Sequence, residues 1–179
     1  ISCHAPRPIF ETEIGNRVLP RIARREEGVD CISCHVIPQV GVAATREGLS
    51  AACRPTFRKE LSDAISCAGC HNQHGTIDEW KKTSFFQKNT SCVDCHMPKA
   101  GVNPLSSHHM LVREDAKAIA AALTWEVKVE AGKAGVRVAN TGAGHDFPTD
   151  SRHKAVDLKY RIVSQEGSTS EWQRLARYR

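Results

Sequence analysis

The chain has 179 residues, 40% of them hydrophobic and 25% charged, an ordinary composition for one or two small domains. No apolar run approaches the length of about eighteen residues that crosses a bilayer as a helix, so membrane association is not expected from this segment. The formal charge of +5 would suit a polyanion, but no nucleic-acid-binding motif accompanies it and no nucleic-acid partner is expected.

From the N-terminus, Ser2, Cys3 and His4 read as the last three positions of a CxxCH motif whose first cysteine lies upstream, and an export signal is expected upstream with it. Arg21 to Arg25 form a basic run. Three complete motifs follow, Cys31-Ile-Ser-Cys34-His35, Cys67-Ala-Gly-Cys70-His71 and Cys92-Val-Asp-Cys95-His96, set among Pro, Gly and short turns with little periodicity. Cys53 stands outside any motif and reads as a small buried hydrophobe, or as a disulfide partner for a cysteine outside this segment or in another subunit. Helical fragments are expected around 57–66 and 76–88, the second containing Asp78-Glu79-Trp80-Lys81-Lys82, and an alanine-rich helix from Glu114 to Ala122.

The pattern then changes period. Leu123, Trp125, Val127 and Val129 alternate with Thr124, Glu126, Lys128 and Glu130, which predicts a half-buried strand. Gly132-Lys133-Ala134-Gly135 signals a turn, and Val136 and Val138 resume the alternation. Val156, Leu158, Tyr160 and Ile162 predict a third strand ending at Gln165-Glu166-Gly167-Ser168, and the last residues, with Trp172 and Tyr178, could start another.

The cysteine spacing carries the chemistry. Two thiols separated by two residues and followed at once by histidine form the attachment site of haem c: the thiols add to the porphyrin vinyl groups and the imidazole coordinates the iron. A zinc site pairs CxxC units and does not require a histidine directly after each. A disulfide framework, or a single thioredoxin-like motif, leaves three such histidines unexplained. The expected cofactor is therefore haem c, at three complete sites plus a fourth from the truncated motif. Cys3, Cys31, Cys34, Cys67, Cys70, Cys92 and Cys95 hold the macrocycles, and His4, His35, His71 and His96 are the proximal ligands. Two propionates per haem offset the positive charge, and the Arg21 to Arg25 run is expected to pair with them or to face solvent.

So few residues per haem cannot enclose each macrocycle in its own core, so the porphyrins are expected to supply much of the apolar interior and to lie close together. The second axial positions draw on His74, His108, His109, His145 and His153. His74, three residues after His71, is better placed for an adjacent haem than for the iron of its neighbour. Of His108 and His109 one is expected to ligate, since successive side chains diverge. Met97 and Met110 are weaker alternatives. In Asn140-Thr-Gly-Ala-Gly-His145-Asp-Phe-Pro-Thr149, the glycines flanking Ala143 would let the backbone approach a flat ligand and the proline would fix the exit, presenting His145 on a rigid loop. The fold class expected is a haem-organised multihaem cytochrome c domain of short helices and loops over 1–122, followed by a small antiparallel β module, sandwich-like and incomplete, over 123–179.

These residues resemble a family of multihaem c-type cytochromes. Glu27-Gly28-Val29-Asp30-Cys31-Ile32-Ser33-Cys34-His35 is similar to its EGVxCxxCH signature, Cys92 to Pro98 to its CxxCHMP segment with His108 as the downstream ligand, and Asn140 to Thr149 to its NxGxGHxFPT loop, whose histidine is an axial ligand. The resemblance implies His145 and favours His108 over His109. Asp150 stands where the family often has glycine. Relatives of this kind include periplasmic carriers, subunits of redox complexes and cytochromes that polymerise into extracellular filaments.

The function expected is electron transfer through closely packed, mostly bis-histidine haems, as a carrier or as the subunit of a conductive filament, not enzymatic catalysis. The partners expected are redox proteins or neighbouring copies of the chain. Because haem is attached beyond the cytoplasmic membrane, the protein is expected to be exported, to the periplasm or the cell exterior. The alternative is a multihaem reductase or oxidase of a small nitrogen or sulfur compound, which requires one iron with an open face.

Overall fold

The computed structural model describes residues 2–47, 52–99, 105–110, 115–150 and 153–179. Glu114, at the start of the expected alanine-rich helix, lies outside the described residues. The three complete motifs each sit on a short helix: α1 (Cys31–His35), α2 (Ile65–His71) and α5 (Cys92–His96). Ser2–His4, the truncated motif, forms a 3-10 turn.

The segment ahead of α1 is pinned by backbone hydrogen bonds. Arg7 N donates to Leu19 O, Arg21 N to Ala5 O (both 2.8 Å), and Ile9 N to Ser33 O within α1 (2.9 Å). After α1 come β1 (Val36–Ile37), β2 (Gly41–Ala44) and β3 (Thr56–Phe57), with β1 antiparallel and β3 parallel to β2. These pieces are too short to show a period in the sequence. The helix expected around 57–66 is instead β3 followed by a 3-10 turn, Lys59–Ser62. That expected over 76–88 is broken into α3 (Thr76–Trp80) and α4 (Ser84–Gln87). Thr83, at the break, has extended backbone and returns its hydroxyl to Trp80 O at 2.8 Å, a local bond that competes with helical continuation. Cys53 is exposed, in the connection from β2 to β3, which overturns its reading as a buried hydrophobe.

Helix α6 (Ala116–Ala122) is capped by Asp115, whose Oδ1 accepts from Lys117 N and Ala118 N. It runs directly into β4 (Leu123–Glu130), which pairs antiparallel with β5 (Lys133–Asn140) in one register from Glu130↔Lys133 to Leu123↔Asn140. The turn is thus Ala131-Gly132, with φ of 49° and 75°, the left-handed pair that matches strand twist. It lies one residue earlier than the glycine-bounded stretch suggested. β6 (Val156–Tyr160) and β7 (Gln173–Tyr178) form a second antiparallel ladder.

The alternation in β4 sets cross-strand neighbours, Trp125↔Val138 and Val127↔Val136, but does not bury them: Trp125 is 75% and Val129 72% exposed. Among the described residues the buried apolar side chains are five alanines, two isoleucines, one valine and Pro6. Side chains that small leave little interior volume filled by protein alone.

Candidate functional site

On a helix, residues three apart share a face one turn apart, so each CxxCH presents its two thiols together with the histidine on the next position. Each motif helix is started by a polar residue just ahead of it. Asp30 Oδ1 accepts from Ser33 N (3.1 Å) and Ser33 Oγ (3.0 Å), while Ser33 Oγ accepts from Asp30 N, a reciprocal cap. Asp63 Oδ1 accepts from Ile65 N at 3.0 Å, and Asp94 Oδ2 accepts from Ser91 N at 2.7 Å.

Arg21 closes the first cap from outside. Its Nη1 donates to both carboxylate oxygens of Asp30 at 2.9 Å, and its Nη2 to the carbonyls of Arg24 and Gly28. Burial works against ionisation of Asp30, but the bonds from Arg21 and Ser33 outweigh it and hold its carboxyl down to about 2. Arg24 pairs with Glu27. Arg21 is thus committed to a protein carboxylate, where the sequence suggested a propionate or solvent, whereas Arg24 and Arg25 face solvent as expected. Gly28, at φ 68°, makes the turn between these groups and passes close to His4 O.

Thiols of all four motifs gather around α2. Cys3 Sγ lies 3.9 Å from Cys70 O. Burial, with Cys3 beside it, pushes Cys70 up to about 12, and burial with Cys67 nearby raises Cys34. A side-chain hydrogen bond from Cys92 holds Cys67 down to about 7 and, with burial, pushes Cys92 up.

Two pairs of imidazoles face one another across the fold. His35 and His108 have ring centres 5.8 Å apart, and His96 and His145 lie 6.0 Å apart with planes inclined by 19°. An iron held between two imidazole nitrogens, each bond about 2 Å long and each ring centre about 1 Å beyond, needs a spacing of about 6 Å. Ordinary aromatic neighbours also meet at such distances. The tautomers narrow the choice. His35 Nδ1 donates to Ala43 O (2.9 Å), His108 Nδ1 to Ser106 O (3.1 Å) and His145 Nδ1 to Asp146 O (2.8 Å). A carbonyl can only accept, so each proton sits on Nδ1 and the lone pair on Nε2, the arrangement that outer hydrogen bonds impose on metal-binding histidines. Burial, with His145 and His71 nearby, lowers the pKa of His96 and so favours its neutral form. The residues present fit an iron porphyrin bound through two cysteines and closed by histidine on both faces.

The His145 loop is held by contacts the sequence did not announce. Thr141 N and Gly142 N donate to Ala122 O, the carbonyl at the end of α6. Asn140 spans the loop, its Nδ2 donating to His145 O at 2.6 Å and its Oδ1 accepting from Ala143 N. Gly142 has no room for a Cβ against Ala121 O, and a Cβ on Gly144 would lie 3.4 Å from Phe85 and Trp80. The two glycines thus admit the end of α6 and the Phe85 and Trp80 side chains. Glu79 Oε2, absent from every motif, accepts from Asp146 N (3.2 Å) and Thr149 Oγ1 (2.6 Å). Asp150, where the sequence carries no glycine, takes the left-handed conformation at φ 77°.

His4, His71, His74 and His109 are exposed, and among the described residues no second imidazole faces them as His108 and His145 face their partners. His109 contributes its backbone N–H to Ser107 Oγ, while its neighbour His108 is the one brought to a motif histidine. Met110 is exposed.

A family model described as the NapC/NirT cytochrome c family, N-terminal region, matches residues 40–141. The matched stretch contains α2, α5, His108 and the β4–β5 hairpin, and it stops just short of His145. No curated protein and no solved structure matches the chain.

Proposed function

From the premise that the chain belongs to the NapC/NirT cytochrome c family, and so to the electron-transfer c-type cytochromes that work with redox partner proteins, we propose that it conducts electrons through several haems whose irons are closed by histidine on both faces. Haem c, when bound, supplies a one-electron ferric/ferrous couple. The observation that carries the reading is the pair of facing imidazoles, His35 with His108 and His96 with His145. The cysteines of α1, α2 and α5 anchor the macrocycles, and Ala43, Ser106 and Asp146 carbonyls fix three imidazoles with Nε2 free to ligate.

At the two irons that the facing pairs would close no position remains for a substrate, which favours conduction over small-molecule chemistry there. The convergence of thiols from four motifs on α2 supports close spacing of the haems. Covalent attachment occurs beyond the cytoplasmic membrane, which supports an exported protein acting as a periplasmic carrier or as the repeating unit of an extracellular filament. Among the described residues no helix is long and apolar enough to cross a membrane.

The test is the spin state of the oxidised holoprotein. Six-coordinate, low-spin ferric signals are expected, with His108→Ala and His145→Ala each converting one haem to high spin. High-spin iron in the unaltered protein, with turnover of nitrite or hydroxylamine, would replace this reading by a reductase. Long polymers in electron micrographs would favour the filament over the carrier.

A further inference from the structure

We propose that Glu79 is a positioning residue for the His145 imidazole, so that its loss opens the iron face that His145 closes; the proposal rests on the reading of His145 as an axial ligand. Glu79 is 67 residues from Asp146 and 70 from Thr149 in sequence, yet one carboxylate oxygen accepts from both. These donors bracket the Phe147-Pro148 corner immediately after the histidine, and Asp146 is also the residue whose carbonyl receives His145 Nδ1–H. A single charged acceptor thus fixes the residue that orients the ring. Hydrogen bonds to an ionised acceptor are the stronger kind.

The same face of α3 holds the loop at further points. Thr76 Oγ1 and Thr149 Oγ1 are 2.9 Å apart, and Trp80 lies against Gly144. Thr76 and Glu79, three residues apart, share one helix face. Helix α3 is in turn started by Asn72, directly after α2, whose Oδ1 accepts from Ile77 N and Asp78 N. The carboxylate therefore ties the loop of one axial histidine to the helix that carries Cys67–His71.

Carbon monoxide binding to the dithionite-reduced holoprotein reads the proposal, because it reports access to one iron face and not general stability. Haem content is equalised by pyridine haemochrome. His145→Ala is expected to bind CO at one haem rapidly, where the unaltered protein binds only slowly because the imidazole must first leave. Glu79→Ala is expected to bind CO at the same haem about 10-fold faster than the unaltered protein, the scale of losing charge-assisted bonds that hold the ring. Glu79→Gln, which keeps an acceptor oxygen, and Thr149→Val, which removes one donor, are expected to fall between, and they carry the test if Glu79→Ala loads haem incompletely. CO uptake by His145→Ala with unaltered rates in the Glu79 and Thr149 variants would overturn the positioning role. No gain in His145→Ala would overturn the ligand reading itself, and this proposal with it.

Discussion

Replacing Asp30 by alanine perturbs the reciprocal cap that starts α1, the helix of the first complete CxxCH motif. The substitution removes the acceptor that starts α1, a loss of about 1 kcal/mol. It also takes away the carboxylate from Arg21, whose side chain is only 12% exposed. Loss of charge-assisted bonds to a group so placed adds about 1–2 kcal/mol, toward the low end because Arg21 keeps the Arg24 and Gly28 carbonyls. The sum, about 2–3 kcal/mol, is measurable by urea denaturation of the holoprotein at pH 7 followed by far-UV circular dichroism. The same network makes a pH prediction. Asp30 titrates at about 2 in the fold and near 3.9 in the unfolded chain. Its contribution is therefore fully present above about pH 4 and is lost as pH falls toward 2, to the extent of about 1–2 kcal/mol after solvent screening. Asp30→Asn, which cannot titrate, should flatten that part of the pH profile. A loss below about 0.5 kcal/mol in Asp30→Ala, or an unchanged acid limb in Asp30→Asn, would refute the reasoning.

Gly69→Ala places a Cβ 2.5 Å from Asn16 O, a backbone atom that cannot swing aside; a loss of about 1–3 kcal/mol is expected in the same denaturation assay. Asp150→Gly should be neutral or slightly stabilising and Asp150→Ala destabilising by about 1 kcal/mol, because the residue sits at φ 77°, where only glycine is unstrained and aspartate is better tolerated than alanine. Equal midpoints for the two Asp150 variants would show that the left-handed turn carries no cost.

The sequence was most informative where chemistry demands contiguous residues. CxxCH specifies two thiols and an imidazole within five positions, and the short motif helices follow from that spacing together with Asp30, Asp63 and Ser91 ahead of them. Alternation in 123–130 was strong enough to place β4, and glycine at 132 enough to place a turn nearby. The pattern could not show that Trp125 and Val129 would stand exposed, because alternation records which side chains share a face and not what covers that face. Nor could it pair the histidines. His35 with His108 and His96 with His145 are contacts between distant segments, and the His145 loop is set in place by bonds to Ala122 at the end of α6 and to Glu79 on α3. Glu79 was invisible for the same reason: on the helix it reads as one solvent-facing charge among Asp78, Lys81 and Lys82, and its two partners come from the far end of the chain. The break between α3 and α4 was missed because Thr83 competes locally for the backbone, which helix propensity averages away.

The most direct measurement of the central claim is an experimental determination of the iron positions and their axial ligands in the holoprotein. The account predicts one iron between His35 and His108 and another between His96 and His145, each bound through Nε2. An open face on either iron, or either histidine pair divided between different irons, would contradict it.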